Sequence, residues 1–386
     1  MHLAEYYLGI SKATSDELYQ FLKGTIDQAM ARKLPGAPLP EGFDYPLSGL
    51  LTLEEQGGFT FGYFDAALTN DGLKLIEAQA LPTYHFSAAF IGSLLWHQLR
   101  DLNGSVFVNQ PEATWADFLE LKGNIVGGEA ASGIVLADRE LQAQKTNFDF
   151  YATQRELGLA LDIVDSKDIF EREGRLFYDV GRPGSKPQQL HRLYSRVLAL
   201  EALEDDGYPN NEERWRFRFD RSYDDFVLIN HPANSFEISK HILPHVESPV
   251  NPSCFELSAV AQSFRDGSLG YSDFVWKHKW GVAGRGALLL PDAGLLDGLT
   301  EEQTLDEYIA QKKVDFEVFK TGDGEEKIVE LRFMTVQSVD QLLVVPMARI
   351  GHVEHADDGR SVYRIHFGDN NRVGYGFCPV LIFDQL

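Results

Sequence analysis

Residues Phe61 to Thr83 read FGYFDAALTNDGLKLIEAQALPT. Two runs of strand-forming residues flank Thr69-Asn70-Asp71-Gly72, and an Asp-Gly pair between such runs signals a β-hairpin. The expected strands are Phe61–Leu68 and Leu73–Ala80. Side chains alternate between the two faces of a strand, so Leu73, Leu75, Glu77 and Gln79 are expected on one face. Asp65, on the neighbouring strand, joins Glu77 and Gln79 if the register allows. Two carboxylates and an amide on adjacent strands form an oxygen-rich set suited to Mg²⁺, which takes carboxylates, water and substrate phosphates. An ordinary strand pair with a solvated acidic face gives the same pattern.

The whole chain bounds what such a site can serve. Its 386 residues allow two or three domains. Hydrophobic residues at 44% and charged residues at 24% fit a soluble globular protein. A net charge of −23 argues against nucleic-acid or anionic-membrane partners, which need a basic surface. A phosphate-binding cleft needs only local positive charge and stays open. The two cysteines, Cys254 and Cys378, form no metal pattern or disulfide framework, so a reduced, cytoplasmic setting is the default. The first residues lack a charged-then-apolar signal, and no apolar run approaches about 18 residues.

Along the chain, Thr14 and Glu17 read as a capping box for a helix carrying Leu18, Phe21, Leu22 and Ile26, which stops before Pro35. A helix is expected from Pro82 to Leu102, with His85 and His97 as ordinary structural histidines. From Asn103 onward, short apolar strands alternate with helices: a helix capped by Thr114, strand Gly133–Asp138, helix Phe148–Leu157, strand Leu161–Val164, strand Gly174–Tyr178, then helical or mixed structure over Gln189–Leu203. That alternation implies a small α/β domain with a parallel sheet. Arg192 and Arg196 within it suit a substrate carboxylate by guanidinium geometry, and equally suit a helix surface.

Further on, the apolar stretch Phe274-Val275-Trp276 delivers Lys277, and Gly281, Gly284 and Gly286 follow. Glycines let backbone amides approach phosphate oxygens and the lysine adds a point charge. A plain hairpin turn also fits. The motif is not a P-loop, because no Gly-Lys-Ser/Thr closes it. Arg332 and Arg349 fall on two late strands, and two permanently charged forks on adjacent strands suit a phosphoryl or acyl-phosphate oxyanion. Cross-strand salt bridges to Glu330 or nearby acids are the alternative reading.

Asp65, then Glu77-Ala78-Gln79, then Leu81-Pro82-Thr83 resembles the metal-binding hairpin of ATP-grasp ligases of the glutathione synthetase type. Gln79 stands where that family usually has Asn. The hairpin's early position resembles the circularly permuted branch, which includes eukaryotic glutathione synthetase and the glutathionylspermidine synthetase domain. The resemblance implies an α/β (α+β) fold: a circularly permuted ATP-grasp with a parallel-sheet substrate (pre-ATP-grasp) domain and a mobile lid. Its expected parts are 1–102 with N-terminal helices and the hairpin, 103–225 as substrate domain, and 226–386 with the lid (about 240–320) and core strands.

The same resemblance assigns roles. Asp65, Glu77 and Gln79 would hold Mg²⁺. Lys240 and Lys277, with Gly281, Gly284 and Gly286, would hold the ATP phosphates, and Lys279 is a substitute for Lys277. Ala310, Gln311, Lys312 and Val314 would form the hinge whose backbone reads adenine, with Asp315 on the ribose. Glu317 is the alternative to Asp315 for the ribose. Arg332 and Arg349 would face the transferred phosphoryl group. Arg192 and Arg196, in a segment like the family's Tyr-x-Arg, and Asn371 and Arg372 would contact substrate. The relatives carry Glu and Asn near the glycine loop, where this chain has Val282 and Ala283. The implied activity is ADP-forming ligation of a small-molecule carboxylate and an amine through an acyl phosphate, with ATP and Mg²⁺, by a homodimer. A degenerate nucleotide-binding protein and an ATP-grasp kinase are the alternatives.

Overall fold

Phe61–Thr69 and Gly72–Gln79 pair antiparallel around Asn70-Asp71, as the turn residues imply. The computed structural model describes residues 6–30, 39–43, 60–82, 85–99, 104–144, 147–181, 184–282, 284–322, 324–338, 341–355, 361–365 and 376–384. Pairing in the hairpin is not uniform. Asp65 faces Glu77, but Ala66 faces Leu75, which leaves Ile76 as an extra residue in a β-bulge. One extra residue moves every later side chain to the other face. Leu73 and Leu75 therefore pack with Phe64, Ala66 and Ala78. Glu77 and Gln79 lie opposite, beside Asp65 and Tyr63. The expected single face for Leu73, Leu75, Glu77 and Gln79 is corrected by this bulge.

The hairpin ends a larger sheet. Its path runs Leu8–Ser11, Gly376–Phe383, Leu342–His355, Glu326–Gln337, Phe61–Thr69 and Gly72–Gln79. The first pair is parallel and the others are antiparallel. Helix Lys12–Met30 covers one face, where Leu18, Leu22 and Ile26 pack with Phe64, Leu331 and Phe333. That helix starts before the expected cap. Ser11 Oγ accepts from the Thr14 amide at 3.1 Å, so Ser11 takes the capping role assigned to Thr14.

The other face is apolar at one end, where Phe61, Met334 and Val336 meet Phe86 and Ala89 of helix His85–Gln98. Beyond them lies a four-stranded parallel sheet ordered Val227–Ile229, Arg192–Ser195, Ile134–Asp138, Leu161–Asp165. Ile134 and Leu136 face the large sheet, while Val135 and Ala137 face a second cluster around Trp215 and Phe219. Burial on both faces explains the unbroken apolar runs of these strands. Gln189–Leu203 is not mainly helical. It holds strand Arg192–Ser195 and a short helix, Ala199–Glu204. Arg175–Tyr178 belongs instead to a separate antiparallel sheet.

A fourth sheet is antiparallel and ordered Cys254–Glu256, Tyr308–Lys312, Phe274–His278, Ala287–Leu288. Trp276 and Ala310 point to helices Leu257–Arg265 and Ala293–Glu301. Lys277, Ile309 and Gln311 share the opposite face. That face closes the free edge of the hairpin. Gln311 Nε2 donates to the Leu75 carbonyl at 3.1 Å and Lys277 Nζ to the Ile76 carbonyl at 2.8 Å. The Leu75 and Ala80 amides donate to Val250 and Ile238 carbonyls, each at 2.8 Å. Among the described residues, no helix is long and apolar enough to cross a membrane.

The bulge makes a direct prediction. Deleting Ile76 would restore simple alternation and turn Glu77 and Gln79 into the apolar core, so the deletion variant is expected to lose cooperative thermal unfolding. Ile76→Ala keeps the extra residue and should cost only about 1 kcal/mol. A deletion variant with a wild-type melting transition by circular dichroism would contradict the role given to this residue.

Candidate functional site

The polar face of the large sheet is built by register. Arg332 lies across from Asp65, Asp65 from Glu77, Tyr63 from Gln79, and Glu330 from Arg349. These seven side chains form one patch over four strands. Asp65 is only 1% exposed. Arg332 grips it with a two-pronged fork, Nε to Oδ1 at 2.7 Å and Nη2 to Oδ2 at 2.5 Å. The Tyr63 ring lies 4.0 Å from that guanidinium, and its hydroxyl donates to Gln79 Oε1 at 2.6 Å. Arg349 donates Nε to Glu330 Oε1 at 2.8 Å, and its Nη2 reaches the same oxygen. Arg349 also stands 3.8 Å from Asp65.

Burial pushes the Asp65 carboxyl up to about 6, against the pull of Arg332 and with a push from Glu330. Burial also opposes the charge on Glu77, but Lys240, Arg332 and Lys277 outweigh it and hold that carboxyl below its ordinary value.

Two lysines reach this patch from distant segments. Lys240 opens the short helical turn Lys240–His245 and donates to Glu77 Oε1 at 2.8 Å. Its ammonium also donates to the Gly281 carbonyl. Lys277, on strand Phe274–His278, donates to Gln311 Oε1 at 2.7 Å as well as to Ile76. Burial lowers the Lys277 ammonium to about 8, with Glu77 resisting and Lys240 adding to the shift. Lys279 turns elsewhere and pairs with Glu256 at 2.6 Å.

The glycine loop after Lys277 joins strands Phe274–His278 and Ala287–Leu288 as a hairpin. A Cβ on Gly281 would stand 2.1 Å from the Arg285 carbonyl oxygen, and one on Gly286, at φ +69°, 2.5 Å from His278 Cβ. Only glycine permits so tight a return. Gly284 lies at φ +82° in the same loop. Arg285 ties the loop to the end of helix Ala199–Glu204, at 2.6 Å from Glu204 and 3.2 Å from Asp205. Asp205 is shared with Arg139, which also pairs with Glu201 and Asp206.

Other expected residues lie differently. Ala310 and Gln311 sit in the middle strand of their sheet, paired on both sides. The Lys312 amide donates to the Ser253 carbonyl at 2.8 Å. The ladder thus engages the backbone of Ala310 and Gln311 and the amide of Lys312, the positions expected to read a base. Val314 and Asp315 follow the ladder, and Val314 packs on Ala67, Phe316 and Ile328. Arg192 donates to the Ile125 and Val126 carbonyls at 2.8 and 2.9 Å. It caps the last turn of helix Trp115–Gly127, where a cation is favoured. Arg196 is buried beside Asp149, 3.7 Å away, and stacks on Phe150. Neither arginine lies on a helix. Asn371, Arg372, Thr83 and Ala283 lie outside the described residues.

Mg²⁺ fits this patch by donor type but not by charge state. Arg332 occupies both oxygens of Asp65, Lys240 one oxygen of Glu77, and Tyr63 the amide oxygen of Gln79. Among the described residues, no group of three or more His, Cys, Asp and Glu side chains could hold a metal ion. Lys240, Lys277, Arg332 and Arg349 face Asp65, Glu77 and Glu330, so cations exceed carboxylates. The patch suits a polyanion rather than a bare divalent cation. Tyr63 and Glu330 complete it. Tyr63 was detectable as the same-face neighbour of Asp65 on strand Phe61–Thr69.

No family model matches the chain, and no curated protein matches it. Among solved structures, the chain is similar to a glutathione synthetase-like effector from Globodera pallida in its apo form. That match has a TM-score of 0.47 at 10% identity and covers 92% of this chain and 82% of the other. It is also similar to a protein from Methylobacillus flagellatus KT assigned as a gamma-glutamylcysteine synthetase. There the TM-score is 0.42 at 11% identity, with 92% and 85% covered.

Mg²⁺ titrated alone into the protein should therefore give no binding heat at millimolar concentration. Arg332→Gln should cost about 3 kcal/mol of stability, because it leaves Asp65 buried with only Arg349, 3.8 Å away. The same change should expose an oxygen set that now responds to Mg²⁺. Calorimetry on both proteins checks this, and strong Mg²⁺ binding by the wild type would contradict the closed pairing.

Proposed function

We propose that the protein is an ATP-dependent carboxylate–amine ligase that works through an acyl phosphate. The observation that carries the reading is the convergence of Lys240, Lys277, Arg332 and Arg349 on one face. They come from segments far apart in sequence and meet over a single buried carboxylate patch. Their order along the chain supports the same reading, since it follows the permuted ATP-grasp pattern.

The γ-phosphoryl group of ATP passes to a substrate carboxylate, and ADP leaves. The amine then attacks the acyl carbon, phosphate departs with the acyl C–O bond, and the amine loses a proton. In this scheme Lys240 and Lys277 hold the phosphates. Arg332 and Arg349 face the transferred group and offset the charge that develops on it. Arg332 and Lys240 do so while still holding Asp65 and Glu77, because a buried carboxylate left without its partner is costly. No protein nucleophile is needed, so positioning and electrostatics do the chemistry. The segment 240–320, tied down through Arg285, acts as a lid that excludes water from the acyl phosphate. Because the carboxylates are already paired, no step is routed through a metal.

That pairing also favours a second reading, a nucleotide-binding protein without ligase activity. Calorimetry with ATP separates both from a protein with no nucleotide site. The wild type is expected to bind ATP, and Lys277→Ala to weaken binding about tenfold or more, equivalent to about 1.4 kcal/mol. Hydroxylamine then tests for the acyl phosphate. Hydroxamate formed with ADP release supports the ligase, and ATP binding without hydroxamate for any carboxylate offered supports the second reading.

Lys277 adds a pH signature with two opposite signs. Its folded value, about 8, lies below the ordinary lysine value of 10.5. ATP affinity should fall as pH rises through about 8, because the ammonium is lost. Stability should rise over the window from about 8 to 10.5, because the unfolded chain there binds more protons. Denaturant titrations and calorimetry across that window read the two effects separately.

A further inference from the structure

We propose that Lys122 and Arg196 form an anion pocket that takes a carboxylate of a small organic acid beside the carboxyl ends of the parallel strands. Lys122 lies on helix Trp115–Gly127 and is 0% exposed. Its ammonium has no hydrogen-bond partner. Four rings surround it, Phe61 and Tyr194 at 5.5 Å, Phe86 at 5.7 Å and Phe118 at 5.9 Å. Ring faces recover part of what a lysine loses on leaving water, but fully buried lysines are rare unless paired.

The surrounding charges do not balance. Asp149 is 2% exposed. Its Oδ1 accepts from the Ser87 amide at 3.0 Å and the Ser87 hydroxyl at 2.6 Å, in the first turn of helix His85–Gln98. Its Oδ2 lies 3.7 Å from Arg196 Nη1. One carboxylate thus serves a helix terminus and Arg196, while Lys122 feels it only at longer range. Burial, with some help from Asp149 in the other direction and from Arg196 in the same one, brings the Lys122 ammonium down to about 8, so it stays largely charged at neutral pH. Asp138 is the next acid near Arg196, and burial pushes it up to about 7, which leaves it only partly ionised. His85 is also fully buried, and burial, Lys122 and Arg196 keep it neutral. Positive charge is therefore in excess around Lys122, inside the protein.

The position suits a ligand. Asp138 and Arg196 stand at the carboxyl ends of adjacent parallel strands, and open α/β sheets bind ligands at that end. Phe61, which borders Lys122, shares strand and face with Tyr63, which borders Arg332. Same-face neighbours on a strand are about 6.6 Å apart. A small dicarboxylate held by Lys122 and Arg196 would extend toward Arg332 and Arg349. The inference thus rests on the ligase reading for its chemistry, while the pocket itself needs no nucleotide.

The test uses the full chain without ATP, in thermal unfolding at constant ionic strength, with succinate, glutarate and L-glutamate as probes and the matching amides as controls. At least one acid should raise the wild-type Tm and its amide should not. Lys122→Met should abolish that rise and, without any acid, should melt a few degrees above wild type, because an unpaired buried charge is gone. If no acid stabilises the wild type, the pocket does not exist. If Lys122→Met melts lower and keeps the acid response, the lysine is a structural cation and the proposal falls. Lys122→Gln serves if the methionine variant does not fold, and failure of both to fold has the same meaning. ATP calorimetry on the wild type keeps the readings apart. ATP binding without an acid response refutes the pocket alone, and an acid response without ATP binding refutes the ligase reading alone.

Discussion

Ile76 has no partner across its hairpin, and its carbonyl accepts from the ammonium of Lys277, a residue 201 positions away. Both facts follow from one inserted residue, and much of the site depends on it. Because of the bulge, the apolar start of strand Gly72–Gln79 packs into the core under helix Lys12–Met30, while its polar end faces the other way. Because the strand is at the edge of its sheet, its outward backbone groups need partners. Lys277, Gln311, Val250 and Ile238 supply them. The antiparallel sheet around Trp276 is thereby held against the hairpin by hydrogen bonds to backbone that no hairpin substitution can remove.

The second organising constraint is that every buried carboxylate of the patch has a cation beside it. Asp65, Glu77 and Glu330 each have a cation at contact distance. Buried ion pairs add little net stability, but breaking one is expensive. The patch is therefore selective in how it can change. A ligand that brings its own negative charge can meet Lys277, whose ammonium is held only by the neutral oxygens of Ile76 and Gln311, without breaking a pair. A ligand that brings only positive charge must first evict an arginine or a lysine.

Much of this is legible in the sequence. Apolar alternation and turn residues located the hairpin, the parallel strands and the late strand pair, because those signals are local. Charged residue types at expected positions picked out Asp65, Glu77, Arg332 and Arg349, and the alternative of cross-strand pairing with Glu330 describes the observed Arg349 contact. Three things were not legible. The bulge at Ile76 is not readable, because the adjacent apolar pair Leu75-Ile76 fits a strand buried on both faces as well as a bulge. The double pairing of Ala310 and Gln311 depends on strands more than 30 residues away. Lys122 looks like a surface lysine in its helix, and only the meeting of Phe61, Phe86, Phe118 and Tyr194 around it removes it from water.

Arg285 and Arg139 share one carboxylate, that of Asp205. Arg285 is 42% exposed, so its bonds to Glu204 and Asp205 are worth only about 1 kcal/mol or less. If the glycine loop swings away, Asp205 still has Arg139, and Glu204, itself 46% exposed, meets water. Neither acid is stranded. The contact behaves as a magnetic catch rather than a bolt: it fixes the loop's position at small cost, and its loss leaves no buried charge behind.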